Sequence, residues 1–321
     1  MRRGQGLLQD RAIDIAEWPA DDKYGAAYPE GARPKRTVFS PKDLGSEIIR
    51  PDWRYLFKRS AKPYPEQFWV EIIAYQVGLQ LGISVPPAFA AFDSSTGQCG
   101  ALIEWFYRES KQVFIPAGDV FQKVNPGFDR TLGTQHNLVE ARAYCDELVG
   151  KTSFVPLSLM LLFDSLIGNS DRHQDNWGYL VSVLDERNED GTPKTEITFA
   201  PWFDNGTSMG HERFVQKVQG WSDVRFWAYI EKGRHHFRVS RADTDRITHL
   251  DSMKMVNLHA PGISAMLRSR LDQIDLDTLH EQMLRLSQLD LPDDGKLSAG
   301  RVEFMMKLIG HRKALLQEIF Q

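Results

Sequence analysis

Asp171 and Asn176 stand in a polar stretch, Ile167-Gly168-Asn169-Ser170-Asp171-Arg172-His173-Gln174-Asp175-Asn176-Trp177-Gly178, that follows an almost wholly apolar segment. Both side chains present oxygen, the ligand type that hard cations such as magnesium prefer. Asp171 is either a cation ligand or a carboxylate that accepts a proton from an attacking hydroxyl while Asn176 holds the metal. Asp175 is a spare carboxylate beside them. Asp204 lies in Pro201-Trp202-Phe203-Asp204-Asn205-Gly206-Thr207-Ser208, after the apolar run Ile197-Thr198-Phe199-Ala200. A carboxylate released from a strand end into a glycine-containing turn can reach a metal held by Asn176. Lys58 ends the aromatic-rich run Tyr55-Leu56-Phe57-Lys58. A lysine among buried neighbours needs a partner, and Glu71, with Glu66 as the competing choice, is available downstream.

These residue types divide labour as in phosphoryl transfer. There a lysine tethered by a glutamate orients the α- and β-phosphates, an Asp-x4-Asn loop supplies base and metal ligand, and a second Asp holds the metal. Each piece alone is weak. Loops favour Asp and Asn for turn geometry, and helix glutamates are mostly solvated. The joint order, lysine strand, glutamate helix, catalytic loop and metal loop, carries the reading.

The elements that must position these residues can be read from periodicity. Thr37-Val38-Phe39 and Trp53–Lys58 form a hairpin around a turn at Lys42-Asp43-Leu44-Gly45-Ser46, with Pro51 between them. Residues 66–82 are helical, with Phe68, Ile72, Tyr75, Val77 and Leu81 on one face, Pro65 at the start and Gly82 at the end. Strands are expected at 88–92 and 101–106, and a short one within 11–18 of an otherwise loop-like segment 1–35. Helices are expected at 138–149 and at 154–168, the second apolar all round and therefore buried. Two strands at 178–184 and 195–200 flank the loop Asn188-Glu189-Asp190-Gly191-Thr192-Pro193, and 261–321 is helical by pattern. No internal repeat or low-complexity tract is present. Residues 1–107 are expected to form a small, mixed, β-rich N-lobe and 108–321 a larger, mainly helical C-lobe with the catalytic and metal loops, an α+β class.

Composition excludes several alternatives. Hydrophobic residues are 42% and charged residues 26% of the 321, a globular balance. A net charge of −4 is no footprint for a duplex-binding face, so direct nucleic-acid binding is not expected. Two cysteines, Cys99 and Cys145, make neither a disulfide framework nor a zinc site. The N-terminus lacks the apolar core of a secretory signal, and no apolar run approaches the ~20 residues needed to span a bilayer. A cytoplasmic location is expected.

The sequence resembles the HipA-type serine/threonine kinases, the toxin halves of bacterial toxin–antitoxin pairs. Tyr55-Leu56-Phe57-Lys58 resembles the family's ATP-lysine strand. Glu71-Ile72-Ile73-Ala74, continuing through Leu79-Gln80-Leu81-Gly82-Ile83-Ser84-Val85-Pro86, resembles its glutamate helix. Ala101-Leu102-Ile103-Glu104-Trp105-Phe106 resembles the strand leading into the hinge, and Leu166–His173 with Asn176, then Ala200–Asp204, resembles the catalytic and metal loops. The resemblance implies a bilobal protein-kinase-like fold, ATP and Mg2+ as cofactors, and transfer to a protein serine or threonine with autophosphorylation. Asp171 would be the catalytic carboxylate, with Asn176 and Asp204 as magnesium ligands. Lys58 and Glu71, Gly45 and Ser46 of the loop, His173, and the main chain of Glu104 and Phe106 would line the nucleotide. A protein substrate and an antitoxin chain are the implied partners.

Two departures stand out. Larger family members carry an N-terminal subdomain where only a short segment precedes Val38 here, so a compact form lacking most of that subdomain is the expectation. The family's Gly-x-Gln-x-Lys phosphate loop is replaced by Lys42–Ser46, and Ser46 and Ser40 are the two candidates that the resemblance offers for autophosphorylation. The Asp171-Arg172-His173 triplet is shared with phosphoinositide kinases, so a lipid or small-molecule acceptor is the alternative, and a nucleotide-binding pseudokinase the non-enzymatic one. His173 is a metal ligand or base, or packs in the loop by donating to a backbone carbonyl. Arg172 pairs with a carboxylate or a phosphate. Trp177 is expected in the core, His235 and His236 on the surface, and His211-Glu212 in a segment following the metal loop.

Overall fold

Short runs of β-branched and aromatic residues ended by turn residues make the first sheet. The computed structural model describes residues 6–21, 34–150 and 154–321. Residues 1–5 and 22–33 of the expected N-terminal loop lie outside the described residues. Five strands pair in the order β1 (Ile13–Asp14), β4 (Ala88–Asp93), β5 (Gln98–Glu104), β3 (Arg54–Lys58), β2 (Lys35–Phe39). β2 and β3 form the expected antiparallel hairpin with Thr37 opposite Leu56, and β5 sits between β3 and β4. β1 joins the edge in parallel with β4.

Helix α1 (Gln67–Leu81) is buried on nearly all sides, so its apolar face is wider than the periodicity required. Gly82 ends it in the left-handed region, φ 64°, and its N–H reaches back to the Gly78 and Leu79 carbonyls. That conformation suits glycine because it has no Cβ to clash. Trp69 Nε1 donates to the Gly295 carbonyl at 2.9 Å, so a loop from much later in the chain closes over α1.

Contacts divide the chain into two units. The first comprises Met1–Trp105, Asn205–Phe226 and Asp272–His311, the second Phe106–Asp204, Trp227–Leu271 and Arg312–Gln321. The first break falls near the sequence boundary at 107. Asn205–Phe226 and Asp272–His311 nevertheless cluster with the N-terminal sheet, a return that periodicity cannot disclose.

The second unit has a three-stranded antiparallel sheet, β6 (Gln112–Pro116), β7 (Gly178–Arg187) and β8 (Pro193–Phe199). β6, and the helix Ala117–Val124 after it, escape the sequence pattern because each is short. Helix Leu138–Leu148 begins at Asn137, whose side chain accepts the Glu140 N–H, as N-cap residues do. The apolar helix Phe154–Ile167 is buried as expected. It packs on His249–His259, which Thr248 caps by accepting the Asp251 N–H. The C-terminal region is helical as expected, as Pro261–Asp272, Leu276–Ser287 and Ala299–Ile319.

His235 and His236 are not on the surface. His235 is 0% and His236 8% exposed. The segment carrying them is drawn inward by backbone bonds from His235 N to the Ile247 carbonyl and from Ile247 N to the Phe237 carbonyl. His235 Nε2 lies 2.9 Å from Ser252 Oγ, and burial pushes its pKa down to about 3. Burial, then the positive charge of Arg246, does the same to His236. His136 and His249, fully buried, are also shifted well below the usual value. Alternating charged residues around the His235-His236 pair had suggested a solvated face, but the histidines enter the core as neutral rings.

This makes stability acid-sensitive with a defined sign. The unfolded histidines take up protons below about pH 6.5, while the buried rings do not. The folded state therefore loses stability as pH falls from about 6.5 towards 3, by up to roughly 1.4 kcal/mol per pH unit for each histidine. Urea midpoints measured from pH 7.5 to 5 should fall with decreasing pH. A flat profile over that window, above the range where carboxylates titrate, would show that the rings charge freely in the fold.

Candidate active site

Asp164 is a single carboxylate inside an apolar helix, Phe154–Ile167, and it is completely buried. A buried charge must be paired and hydrogen-bonded. Arg172, also 0% exposed, supplies the partner. Its Nε donates to Asp164 Oδ2 at 3.0 Å and its Nη2 to Oδ1 at 2.8 Å. This two-point fork is the strongest geometry open to such a pair. Nη1 then donates to the Asn176 carbonyl at 3.0 Å and to the carbonyl of Phe203. One guanidinium thus ties the helix end, the Asp171–Asn176 loop and the loop after β8 that carries Asp204. Of the two partners left open for Arg172, the structure selects the carboxylate.

The loop is held from its other side as well. Gly168 leaves the helix in the left-handed region, φ 69°, and a Cβ there would meet the Arg312 guanidinium at 2.8 Å. Asn169 Nδ2 donates to Asp164 Oδ1, and its Oδ1 accepts the Asp171 N–H. Arg312 Nη1 donates to the Ser165 carbonyl and lies 3.2 Å from His249 Nδ1, while His249 Nε2 meets the Asn169 carbonyl at 2.9 Å. Arginine is only a donor, so His249 accepts at Nδ1 and donates from Nε2. Asp164, His249 and Arg312 escape the sequence reading. A lone carboxylate in an apolar helix was the available signal for the first.

Asn176 is 6% exposed, and its Nδ2 donates to the Asp171 carbonyl at 2.8 Å. This bond fixes the amide orientation, leaving Oδ1 without a hydrogen bond among the described residues. Asp204 has φ 55°. The left-handed region is one that Asp tolerates better than most residues. Among the described residues no cluster of three or more His, Cys, Asp or Glu could hold a metal by itself. Two carboxylates and an amide oxygen nevertheless fit magnesium, which keeps waters and takes substrate phosphates rather than an all-protein cage.

His173 does not donate to a carbonyl. Its Nδ1 accepts the Asp175 N–H at 3.2 Å, because the tight loop turns that amide towards the ring. Asp175 is not spare either: Arg130 reaches its Oδ1 from Nη2 at 2.7 Å. Trp177 is fully buried, as expected, and donates from Nε1 to His136 Nε2. Phe106 stacks on Phe203, with centroids 5.2 Å apart, and meets Phe114 edge-on. Its side chain is therefore spent on packing against the loop residue that precedes Asp204.

In the first unit, Lys58 Nζ donates to Glu71 Oε1 at 2.9 Å, with both residues buried. Glu71 Oε2 accepts the Asn205 N–H at 2.9 Å, and Asn205 directly follows Asp204 in the chain. Gln67 Nε2 donates to the Gly206 carbonyl. The competing Glu66 turns elsewhere, accepting the Ser298 N–H and approaching Arg301. Arg301 donates to the Gly210 and Arg213 carbonyls, holding the segment with His211 and Glu212. Glu104 is buried, accepts a long hydrogen bond from Tyr55 and gives its N–H to the Pro87 carbonyl. Gly45 has φ 62° on an exposed turn. Ser46 Oγ accepts the Ile49 N–H, while Ser40 is buried, donating to the Arg50 carbonyl and accepting the Trp53 N–H.

No family model matches the chain, and no curated protein does. Among solved structures, a Helicobacter pylori proinflammatory kinase, CtkA, is similar with a TM-score of 0.73 and 18% identity, over 96% of each chain. HipA of Shewanella oneidensis MR-1, solved with HipB and operator DNA, has a TM-score of 0.49 and 14% identity over 98% of this chain and 73% of that one. The likeness to CtkA establishes that the fold is kinase-like, the α+β class expected from the sequence. No helix among the described residues is long and apolar enough to cross a membrane.

The Arg172–Asp164 pair generates a stability prediction. Asp164→Leu leaves a buried guanidinium unpaired and should cost about 3–5 kcal/mol. Adding Arg172→Met should recover part of that loss, although the Asn176 and Phe203 carbonyls then lose a donor. Denaturant unfolding of the four proteins in the cycle measures the coupling. Simple additivity would contradict a direct pair.

Proposed function

We propose that the protein is an ATP- and magnesium-dependent kinase that phosphorylates serine or threonine of a protein. The observation that carries this is the Arg172 tie, which holds the Asp171–Asn176 loop and the loop leading to Asp204 in one buried network. Structural ion pairs occur in every fold. This one braces two oxygen-bearing loops of a kinase-like fold, which a merely stabilising pair has no reason to do.

In this reading Lys58, oriented by Glu71, binds the α- and β-phosphates. Asn176 Oδ1 and the Asp204 carboxylate would hold magnesium, which when bound neutralises charge on the phosphate oxygens. Asp171 orients the acceptor hydroxyl and takes its proton. The hydroxyl oxygen bonds to the γ-phosphorus as the bond to the β–γ bridging oxygen breaks, and ADP leaves with that electron pair. The main chain at Glu104 and Phe106 would flank the adenine. In the Gly45 turn Ser46 is the more accessible site for autophosphorylation, since Ser40 must first break its buried hydrogen bonds.

Incubation with γ-labelled ATP and magnesium, alone and with cell lysate, should label protein at serine or threonine. Asp171→Ala should lower transfer by about 10²–10⁴-fold, the usual worth of a positioned base, with an unchanged melting temperature. Absence of transfer by the wild type to itself or to any lysate component would overturn the enzymatic reading. Label in lipid alone would replace the acceptor class.

A further inference from the structure

Arg246 is exposed, and its guanidinium makes no hydrogen bond or ion pair among the described residues. It follows the loop Ser240-Arg241-Ala242-Asp243-Thr244-Asp245 and precedes Ile247, whose main chain pairs with His235 and Phe237. This places it beside the half-buried Arg238, which is held in position by donating to the Thr244 and Gly133 carbonyls. His236, 92% buried given its 8% exposure, packs 5.9 Å from the His173 ring in the catalytic loop. Its Nδ1 has no partner. Arg246 lies within electrostatic reach of both Arg238 and Asp171. Two guanidiniums are thus kept near each other and near Asp171.

We propose that Arg246 and Arg238, with His236 at their base, form a subsite for an anionic group, a carboxylate or a phosphate, carried by the acceptor protein next to the hydroxyl to be phosphorylated. The role rests on Asp171 being the acceptor-side carboxylate. Arginine suits it because its planar fork matches both anions. Positive charges held together with no ion-paired carboxylate on either guanidinium among the described residues store repulsion that an incoming anion relieves. An anionic membrane surface fits less well. Asp243 and Asp245 are exposed on the same loop and would repel a sheet of charge more strongly than one acidic or phosphorylated side chain. Asp243 is already occupied, accepting from the Ser240 N–H and hydroxyl.

The test uses the full chain and labelled nonapeptides built on one central serine. A neighbouring position holds glutamate, phosphoserine, glutamine or lysine. Binding is read by fluorescence anisotropy without nucleotide, and transfer by labelled ATP. Glutamate and phosphoserine peptides should bind about tenfold tighter than the glutamine peptide, a step worth ~1.4 kcal/mol. Arg246→Gln should shrink that ratio severalfold and Arg246→Glu should turn the preference towards lysine, with melting temperatures checking the fold. Comparing the glutamate and phosphoserine arms tells an acidic neighbour from a priming phosphate. Equal affinity for all peptides, a preference untouched by Arg246→Gln, or binding to phosphoinositide vesicles but to no peptide would overturn the subsite. Selective binding without any transfer would sustain the subsite and instead refute the kinase reading.

Discussion

The structure of the region around Asp171 depends on a single guanidinium that has no access to water. Arg172 cannot be deprotonated, so once buried it must find oxygen for each of its nitrogens. It finds the Asp164 carboxylate and the carbonyls of Asn176 and Phe203. Those four bonds set the positions of the helix end, the loop with Asp171 and the loop before Asp204. A hydrophobic pair of similar volume could be as stable, but it would not fix the relative places of three backbone segments. Asn169, His249 and Arg312 extend the same logic, each satisfying a polar group that another leaves open.

Glu71 plays a comparable part in the first unit. One carboxylate oxygen binds Lys58 and the other binds the amide of Asn205. The lysine is thereby extended on its strand, and the chain just after Asp204 is anchored. A glutamate on a solvated helix face could do neither. Its burial in a helix that is enclosed on nearly every side makes the pairing obligatory. Both networks therefore act through chain segments adjacent to Asp204, the residue that itself adopts a left-handed backbone.

Much of this was legible in the residues and their spacing. The hairpin, the glutamate helix, the buried apolar helix and the two strands flanking the 188–193 loop follow from period and turn chemistry, which are local. The rule that a buried lysine needs a partner left Glu71 and Glu66 open for Lys58, and the fold selects Glu71. What stayed hidden was non-local. Asp164 looked like one polar position in an apolar helix, and only the fold brings Arg172 to it. His235 and His236 sit among charged neighbours that suggest a surface, yet pairing with Ile247 turns them inward. The return of Asn205–Phe226 and Asp272–His311 to the first unit depends on which faces meet, and no periodicity encodes that. The His173 bond depended on the direction of one amide in a tight loop.

The proposed function requires that Asn176 and Asp204 hold a divalent cation together with nucleotide phosphates. The most direct measurement is electron paramagnetic resonance of Mn2+ added to the protein with and without a non-hydrolysable ATP analogue. Bound Mn2+ should depend on the nucleotide and be lost in Asp204→Asn and Asn176→Ala proteins that still fold. Mn2+ that binds equally without nucleotide, or remains bound in both variants, would contradict it.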